Sequence, residues 1–163
     1  MAVSTSEESK VMDGHRLLEI SYHEAGHVVA CLVFSHGFQS VHVEEHKRAV
    51  KYGTWSEMGA TNELTNQRLR ERVIVYYAGL AAQRLHTPMA RLSEAEIDYH
   101  EAEIYYRLIE CPPPKTELEA EVVAFVSKYQ DVIAIIANEL SMKRVLTFDE
   151  VNNLVGTLIV KMM

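Results

Sequence analysis

The chain has 163 residues, of which 48% are hydrophobic and 24% are charged, a composition typical of one folded domain and not of a disordered chain. Its formal net charge of −7 comes from 16 basic and 23 acidic residues, which argues against nucleic-acid binding, because that binding depends on basic side chains that neutralise phosphates. The longest apolar run covers residues 73–82, about half of the ~20 residues that a bilayer-spanning helix needs, so we expect no membrane segment.

Residues 1–12 are mostly polar and acidic, and we expect them to form a flexible arm ahead of a single domain over residues 13–163. The same stretch lacks the apolar core of a secretion signal. The two cysteines, Cys31 and Cys111, form no Cys-x-x-Cys pair, which argues against a thiolate zinc site or a disulfide framework. The sequence therefore predicts a cytoplasmic protein with reduced thiols.

The first predicted helix, over residues 16–36, carries the one stretch whose spacing implies chemistry. His23 and His27 are four residues apart, so on a helix both imidazoles leave the same face, as two ligands of one metal would. Glu24 lies about 100° round the axis from His23, where it could reach a metal-activated water without being a ligand itself. This is the arrangement of a zinc hydrolase, in which the carboxylate accepts the proton of the water. Gly37 is the predicted end of the helix.

Valines alternate with polar residues in the next segment, residues 40–55, which predicts a small β-hairpin. Within it His42 and His46 form the inverted zinc motif His-x-x-Glu-His, a second possible metal site if the segment were helical. Because Val41 and Val43 flank His42 in strand-like alternation, we favour a strand end exposed to solvent. Residues 56–64 are predicted to form a connecting loop.

Four more helices are predicted in the rest of the chain. Thr65 is the expected N-cap of a helix over residues 66–86, where small residues would let another helix approach closely: Ala78, Gly79, Ala81 and Ala82. Capping boxes predict the starts of the other three: Ser93 with Glu96, Thr116 with Glu119, and Thr147 with Glu150. The first two of these helices should end near residues 110 and 140. The predicted fold is therefore mainly α, with about five helices and one small β-hairpin after the first long helix.

A catalytic zinc usually takes three protein ligands, and the predicted helix over residues 94–110 is the richest source of a third. Helical periodicity places Asp98 on the inward face of this helix, where a carboxylate is costly unless it is paired or bound to a metal. We therefore predict Asp98 as the third ligand, with Glu101 and Glu94 at the edge of that face as reserves. The alternative is an inward Asp98 that only hydrogen-bonds to a neighbouring Tyr or Arg.

With these residues in place, the chain resembles the peptidase domain of the FtsH-type ATP-dependent zinc metalloproteases. The similar segments are residues 22–27 (Tyr-His-Glu-Ala-Gly-His), 53–56 (Gly-Thr-Trp-Ser), 77–85 (Tyr-Ala-Gly-Leu-Ala-Ala-Gln-Arg-Leu) and 98–102 (Asp-Tyr-His-Glu-Ala). The likeness runs from about residue 17 to residue 155 and is most specific around the first segment.

The resemblance implies a mainly helical domain with zinc held by three residues: His23, His27 and Asp98. It also implies that Glu24 is the general base and that a peptide substrate lies beside the short strand at residues 52–55, in the strand-addition mode. Two departures from the family pattern matter. Residues 91–97 replace the glycine-containing approach to the ligand Asp, and the sequence contains neither the Gly-x-x-x-x-Gly-Lys motif of the ATPase module nor a membrane anchor.

We therefore expect a stand-alone, ATP-independent zinc metalloendopeptidase that cleaves unfolded or short peptides, either alone, as a homo-oligomer or with a separate ATPase partner. A non-catalytic relative that keeps the metal and binds a peptide or protein is the alternative, and Glu24 argues against it because a structural site has no use for a base. A di-metal carboxylate bundle would need a second Glu-x-x-His on another helix, and the sequence has none.

Overall fold

The computed structural model describes the backbone of residues 5–44, 47–52 and 65–163, and the side chains of residues 14–44 and 65–163. In chain order the elements are α1 (Thr5–Val33), β1 (Phe38–Glu44), β2 (Lys47–Tyr52), α2 (Asn66–His86), a 3₁₀ turn (Leu92–Ala95), α3 (Glu96–Tyr106), α4 (Lys115–Lys128), α5 (Gln130–Lys143), β3 (Val145–Thr147) and α6 (Phe148–Met162). The fold is mainly helical and a hairpin follows the first long helix, which confirms the predicted class. None of the helices among these residues is long and apolar enough to cross a bilayer.

The first helix, α1, is the centre of the fold and packs against α2, α5, α6, β1 and β2. Residues 28–31 of α1 are all fully buried. Its contact with α2 is close because small residues meet there: a Cβ added to Gly26 would lie 2.6 Å from the Cβ of Ala82 and closer still to the carbonyl oxygen of Ala78. The small-residue face of α2 thus meets α1 at the level of the two histidines.

The bounds of α1 differ from the predicted ones at both ends. The helix begins at Thr5, so residues 5–12, assigned to the flexible arm from the sequence, lie in its first turns, while residues 1–4 are outside the described part of the chain. It ends at Val33, because Ser35 adopts a left-handed φ of 55° and the His36 N–H donates to the Cys31 carbonyl at 2.8 Å. A turn of the Schellman type at Ser35, and not Gly37, therefore ends the helix.

The predicted hairpin is part of a three-stranded antiparallel sheet with the order β2-β1-β3. Val41 of β1 faces Val50 of β2 on one side and Leu146 of β3 on the other. The sequence prediction missed β3. His42 lies on a strand, so the inverted zinc motif is not helical at its first histidine, whereas His46 and the predicted loop at residues 56–64 lie outside the described residues.

Two predicted helix starts are confirmed and two predicted capping boxes are wrong. The hydroxyl of Thr65 accepts the Arg68 N–H at 3.2 Å at the start of α2, and the capping box of residues 147 and 150 opens α6. The predicted box of Thr116 with Glu119 does not form, since α4 begins at Lys115 after Pro114, which provides no side-chain cap. The predicted box of Ser93 with Glu96 does not form either. Instead the 3₁₀ turn precedes α3, with a hydrogen bond of 3.0 Å from the Arg91 N–H to the Glu94 carboxylate, and α3 ends early, at Tyr106.

The single helix predicted over residues 116–140 is two helices, α4 and α5, that meet at Tyr129. The chain bends there without proline or glycine, so the local sequence contains no stop signal. Tyr129 is buried and its ring packs against Phe125 with the ring centroids 4.9 Å apart. Since α4 packs against α2 and α5 against α1, the bend lets this stretch cover both central helices, which a straight helix could not do.

Candidate metal centre

His23 and His27 lie one turn apart on the face of α1 that meets α2, and they are only 1% and 2% exposed. Asp98, in the first turn of α3, reaches them from a third helix. Its Oδ2 atom lies 2.7 Å from Nε2 of His23 and 3.4 Å from Nε2 of His27. One ligand atom from each of the three residues lies within 4.8 Å of the others. The structure therefore brings together the three residues that the sequence analysis selected as ligands.

The other nitrogen of each imidazole is already a hydrogen-bond donor. His27 Nδ1 lies 2.7 Å from the carbonyl oxygen of Val75, and because a carbonyl oxygen only accepts, this nitrogen carries the proton. His23 Nδ1 lies 2.8 Å from Oε1 of Gln83, whose Nε2 donates to Glu19 at 3.2 Å. In the neutral rings both Nε2 atoms are consequently acceptors that face the middle of the cluster.

The two Nε2 atoms and the Asp98 carboxylate are three acceptors that face one another, and this arrangement is unfavourable unless a positive charge lies among them. Burial alone would lower the pKa of His27, but its interaction with the Asp98 carboxylate, supported by Glu24, outweighs burial and raises this pKa to about 9. Burial alone would likewise raise the pKa of Asp98, yet the charge on His27 and the hydrogen bonds from both histidines hold it well below its usual range. In the metal-free chain a proton held between the two imidazoles and the Asp98 carboxylate therefore supplies the charge that a metal ion would bring.

The cluster has room for an ion because of Gly79 on α2. A Cβ added there would lie 2.5 Å from Nε2 of His23 and closer still to Nε2 of His27. Both distances are far inside van der Waals contact. Only glycine at this position leaves the inner nitrogens of both rings uncovered.

The separations between the ligand atoms are close to those of a zinc site. Zinc bonds of about 2.0–2.2 Å in a tetrahedral arrangement put ligand atoms roughly 3.3 Å apart. The distance of 3.4 Å between His27 and Asp98 already has this value, the distance of 2.7 Å between His23 and Asp98 is shorter, and all pairs lie within 4.8 Å. Side-chain movements of about an ångström would complete the geometry, so the donor set fits the ion.

Glu24 follows His23 in α1 and is only 4% exposed. Its carboxylate lies close enough to His27 to contribute to the raised pKa of that imidazole, yet it is not one of the three residues of the cluster. Glu24 is thus placed beside the ligands and not among them, as a base acting next to a metal has to be.

Glu94 and Glu101, the reserve ligands from the sequence analysis, are not part of the cluster. Glu94 accepts a hydrogen bond of 2.5 Å from Arg16 and one of 3.0 Å from the Arg91 N–H. Among the described residues, the cluster includes neither Glu94 nor Glu101, and it does not include His42 of β1.

Two residues of the site, Gln83 and Glu19, were missed by the sequence analysis, although helical spacing contained a signal for both. Gln83 lies four residues after Gly79, on the small-residue face of α2 that was expected to meet another helix. Glu19 lies four residues before His23, on the ligand face of α1. An amide and a carboxylate on two faces that pack tightly together were candidates for contact with the ligand histidines.

A groove of about 620 Å³ lies between α2, the 3₁₀ turn, α3 and α4. Tyr77 and Tyr99 form part of its wall, with their rings stacked at a centroid distance of 4.5 Å. Tyr99 follows Asp98 in α3, but none of the three ligand residues lines the groove. The groove is therefore separate from the cluster of His23, His27 and Asp98.

No protein-family model matches the chain, and no curated protein matches it either. Membership of the FtsH-type peptidase family therefore stays a prediction that rests on the similar segments of the sequence.

Proposed function

We propose that the chain is a zinc-dependent metallopeptidase that hydrolyses peptide bonds in unfolded or short peptides, with His23, His27 and Asp98 as the metal ligands and Glu24 as the general base. The observation that carries the proposal is the convergence of three acceptor atoms, two of them on rings whose other nitrogen is already a donor. Such a set is unfavourable without a cation. Two histidines and one carboxylate are also a ligand set typical of catalytic zinc.

Zinc bound at this cluster would polarise a peptide carbonyl and acidify a water molecule. The residues of the chain supply orientation and proton transfer. His23 and His27, each held through Nδ1, keep Nε2 directed at the ion, and Asp98 brings the negative charge. Glu24 accepts a proton on its carboxylate and returns it to the leaving amine. Because Glu24 and both histidines are buried, bulk water screens these interactions only weakly.

The edge of the sheet supports a peptide as the substrate. In the order β2-β1-β3, β2 has a strand on one side only among the described residues, and the outer backbone groups of such an edge can pair with an extended peptide. α1, the helix that carries the histidines, packs against β2. The strand expected beside the substrate covers residues 52–55. Tyr52 is the last residue of β2, and residues 53–55 lie outside the described residues.

The experiment compares zinc content and cleavage of unfolded casein for three forms: the wild-type chain, Glu24→Gln and the control Glu96→Gln, which changes an exposed glutamate of α3. We expect one zinc per chain in all three and cleavage by the wild type and the control. The rate for Glu24→Gln should be lower by roughly 10²–10⁴. Zinc binding without cleavage in any form would refute the peptidase and leave the non-catalytic metal-containing peptide- or protein-binding relative.

A further inference from the structure

A chain of hydrogen bonds leads from His23 away from the metal cluster. It runs from His23 Nδ1 to Oε1 of Gln83 at 2.8 Å, from Nε2 of Gln83 to Glu19 at 3.2 Å, and on to Arg16, which donates to the other oxygen of Glu19 at 3.4 Å. Gln83 is fully buried and Glu19 is 8% exposed. A buried amide has to satisfy both of its ends, so Gln83 has one favoured orientation.

Arg16, the outermost residue of this series of hydrogen bonds, determines which groups in the series donate and which accept. Arg16 only donates, so the Glu19 carboxylate accepts from it, and a carboxylate has no proton to donate to Gln83. The amide of Gln83 must then turn its NH₂ group toward Glu19 and its carbonyl oxygen toward the imidazole. This leaves Nδ1 of His23 as the donor and Nε2 as the acceptor that faces the cluster.

We propose that Gln83 and Glu19 are positioning residues for the metal, which fix the tautomer and the ring orientation of His23. The inference rests on the metal-binding part of the proposed function and does not depend on cleavage. Residues that hydrogen-bond to a ligand histidine typically change metal affinity by about 10–100-fold when they are replaced. Gln83 should therefore control zinc affinity without contacting the ion.

The two ligand histidines differ in how their partners can be changed. The partner of His27 is the backbone carbonyl of Val75, which no substitution removes. The partner of His23 is a side chain, so Gln83 is the position where metal affinity responds to substitution with every ligand intact. The outer pair of Arg16 with Glu94, 45% and 23% exposed, should matter much less, because exposed ion pairs contribute little.

The test measures zinc affinity of the full chain by competition with a chromophoric chelator. Gln83→Met keeps the shape of the side chain but removes the amide, and we expect zinc to bind about 10–100-fold more weakly. The double variant Glu19→Gln with Gln83→Glu reverses the two groups: the introduced amide donates to the introduced carboxylate, which accepts from His23 Nδ1. This restores the order of donors and acceptors, so it should recover most of the affinity.

Two comparisons separate positioning from a general loss of stability. His36→Phe changes a residue that is only 2% exposed and bonded to Glu71, and it should lower the melting temperature while zinc affinity stays unchanged. In the zinc-loaded chain, ¹⁵N–¹H spectra should show a slowly exchanging Nδ1–H of His23 in the wild type and in the double variant, and a rapidly exchanging one in Gln83→Met.

The inference is overturned if Gln83→Met binds zinc as tightly as the wild type, or if the double variant, which restores the acceptor for His23 Nδ1, binds zinc about 10-fold or more weakly than the wild type. The second comparison decides the matter even where Gln83→Met fails to fold. An absence of zinc binding by the wild-type chain is a different result, which would overturn the metal site itself and this inference with it.

Discussion

Gly79 of α2 lies so close to His23 of α1 that a Cβ on the glycine would be 2.5 Å from Nε2 of the imidazole. The approach is possible because small residues line this contact between the two helices, with Gly26 of α1 against the backbone of Ala78. The proposed metal site therefore depends on the space that glycine leaves as well as on His23, His27 and Asp98.

Gly79→Ala should remove that space. The added methyl group meets the inner nitrogens of both imidazoles, so we expect the free energy of unfolding to fall by roughly 1–3 kcal/mol and zinc binding to weaken. Gly14→Ala is the matched control, because a Cβ at Gly14 meets nothing within 4 Å. Urea denaturation of both variants measures the free energy of unfolding, and zinc titration measures their affinity for the ion. A Gly79→Ala chain with wild-type stability and wild-type zinc affinity would show that the cluster is looser than described.

Asp98→Ala should lose most of the bound zinc, because two buried imidazoles alone leave the ion without the negative charge of its third ligand. His42→Ala changes a histidine of β1 outside the cluster and should keep full occupancy. Equilibrium dialysis followed by metal analysis measures both. The opposite pattern, with zinc lost from His42→Ala and kept by Asp98→Ala, would move the site to the inverted motif.

Stability should depend on pH through His36, which packs beside Arg68, Arg72 and Glu71. Burial and the two guanidinium groups lower the pKa of His36 from 6.5 to about 4, although Glu71 opposes them. The unfolded chain therefore takes up a proton near pH 6.5 and the folded chain only near pH 4. Between these values the unfolded state binds more protons, so the free energy of unfolding falls as the pH drops through this window and is unaffected by His36 above it.

The measurement is urea unfolding of the wild type and of His36→Phe at pH 7 and pH 5. We expect the wild type to lose on the order of 1 kcal/mol more than the variant between the two pH values, after allowance for solvent screening. Equal losses in both proteins would mean that His36 can be protonated in the folded chain.

The thiols should differ sharply in reactivity. Cys31 is fully buried in α1, and burial raises its pKa to about 12 although Arg72 opposes this, whereas Cys111 is exposed. Because thiolates are the reactive species, a disulfide reagent should titrate one thiol in the native chain and two in denaturant. Native Cys111→Ser should not react. Rapid reaction of native Cys111→Ser would contradict the packing of α1.

Spacing along single helices was sufficient to select the three residues that the structure brings together. His23 and His27 follow from a separation of four residues, and Asp98 follows from the inward face of a helix that was correctly placed in outline. The N-caps at Thr65 and Thr147 are equally local signals. Each of these predictions uses only residues within one or two turns of each other.

Features that depend on distant contacts could not be read in this way. β3 has three residues and exists because it pairs with β1, a hundred residues earlier. The bend at Tyr129 reflects the different helices that α4 and α5 cover. Ile97 is apolar and next to Asp98, yet it is 79% exposed, and Ala102 is the one fully buried residue of α3.

The central claim is that one metal ion binds between His23, His27 and Asp98. Anomalous diffraction at the zinc edge, from crystals of the zinc-loaded chain, tests it most directly. We predict a single strong peak about 2.0–2.2 Å from Nε2 of both histidines and from a carboxylate oxygen of Asp98. A zinc peak elsewhere in the chain, with these three side chains still joined only by hydrogen bonds, would contradict it.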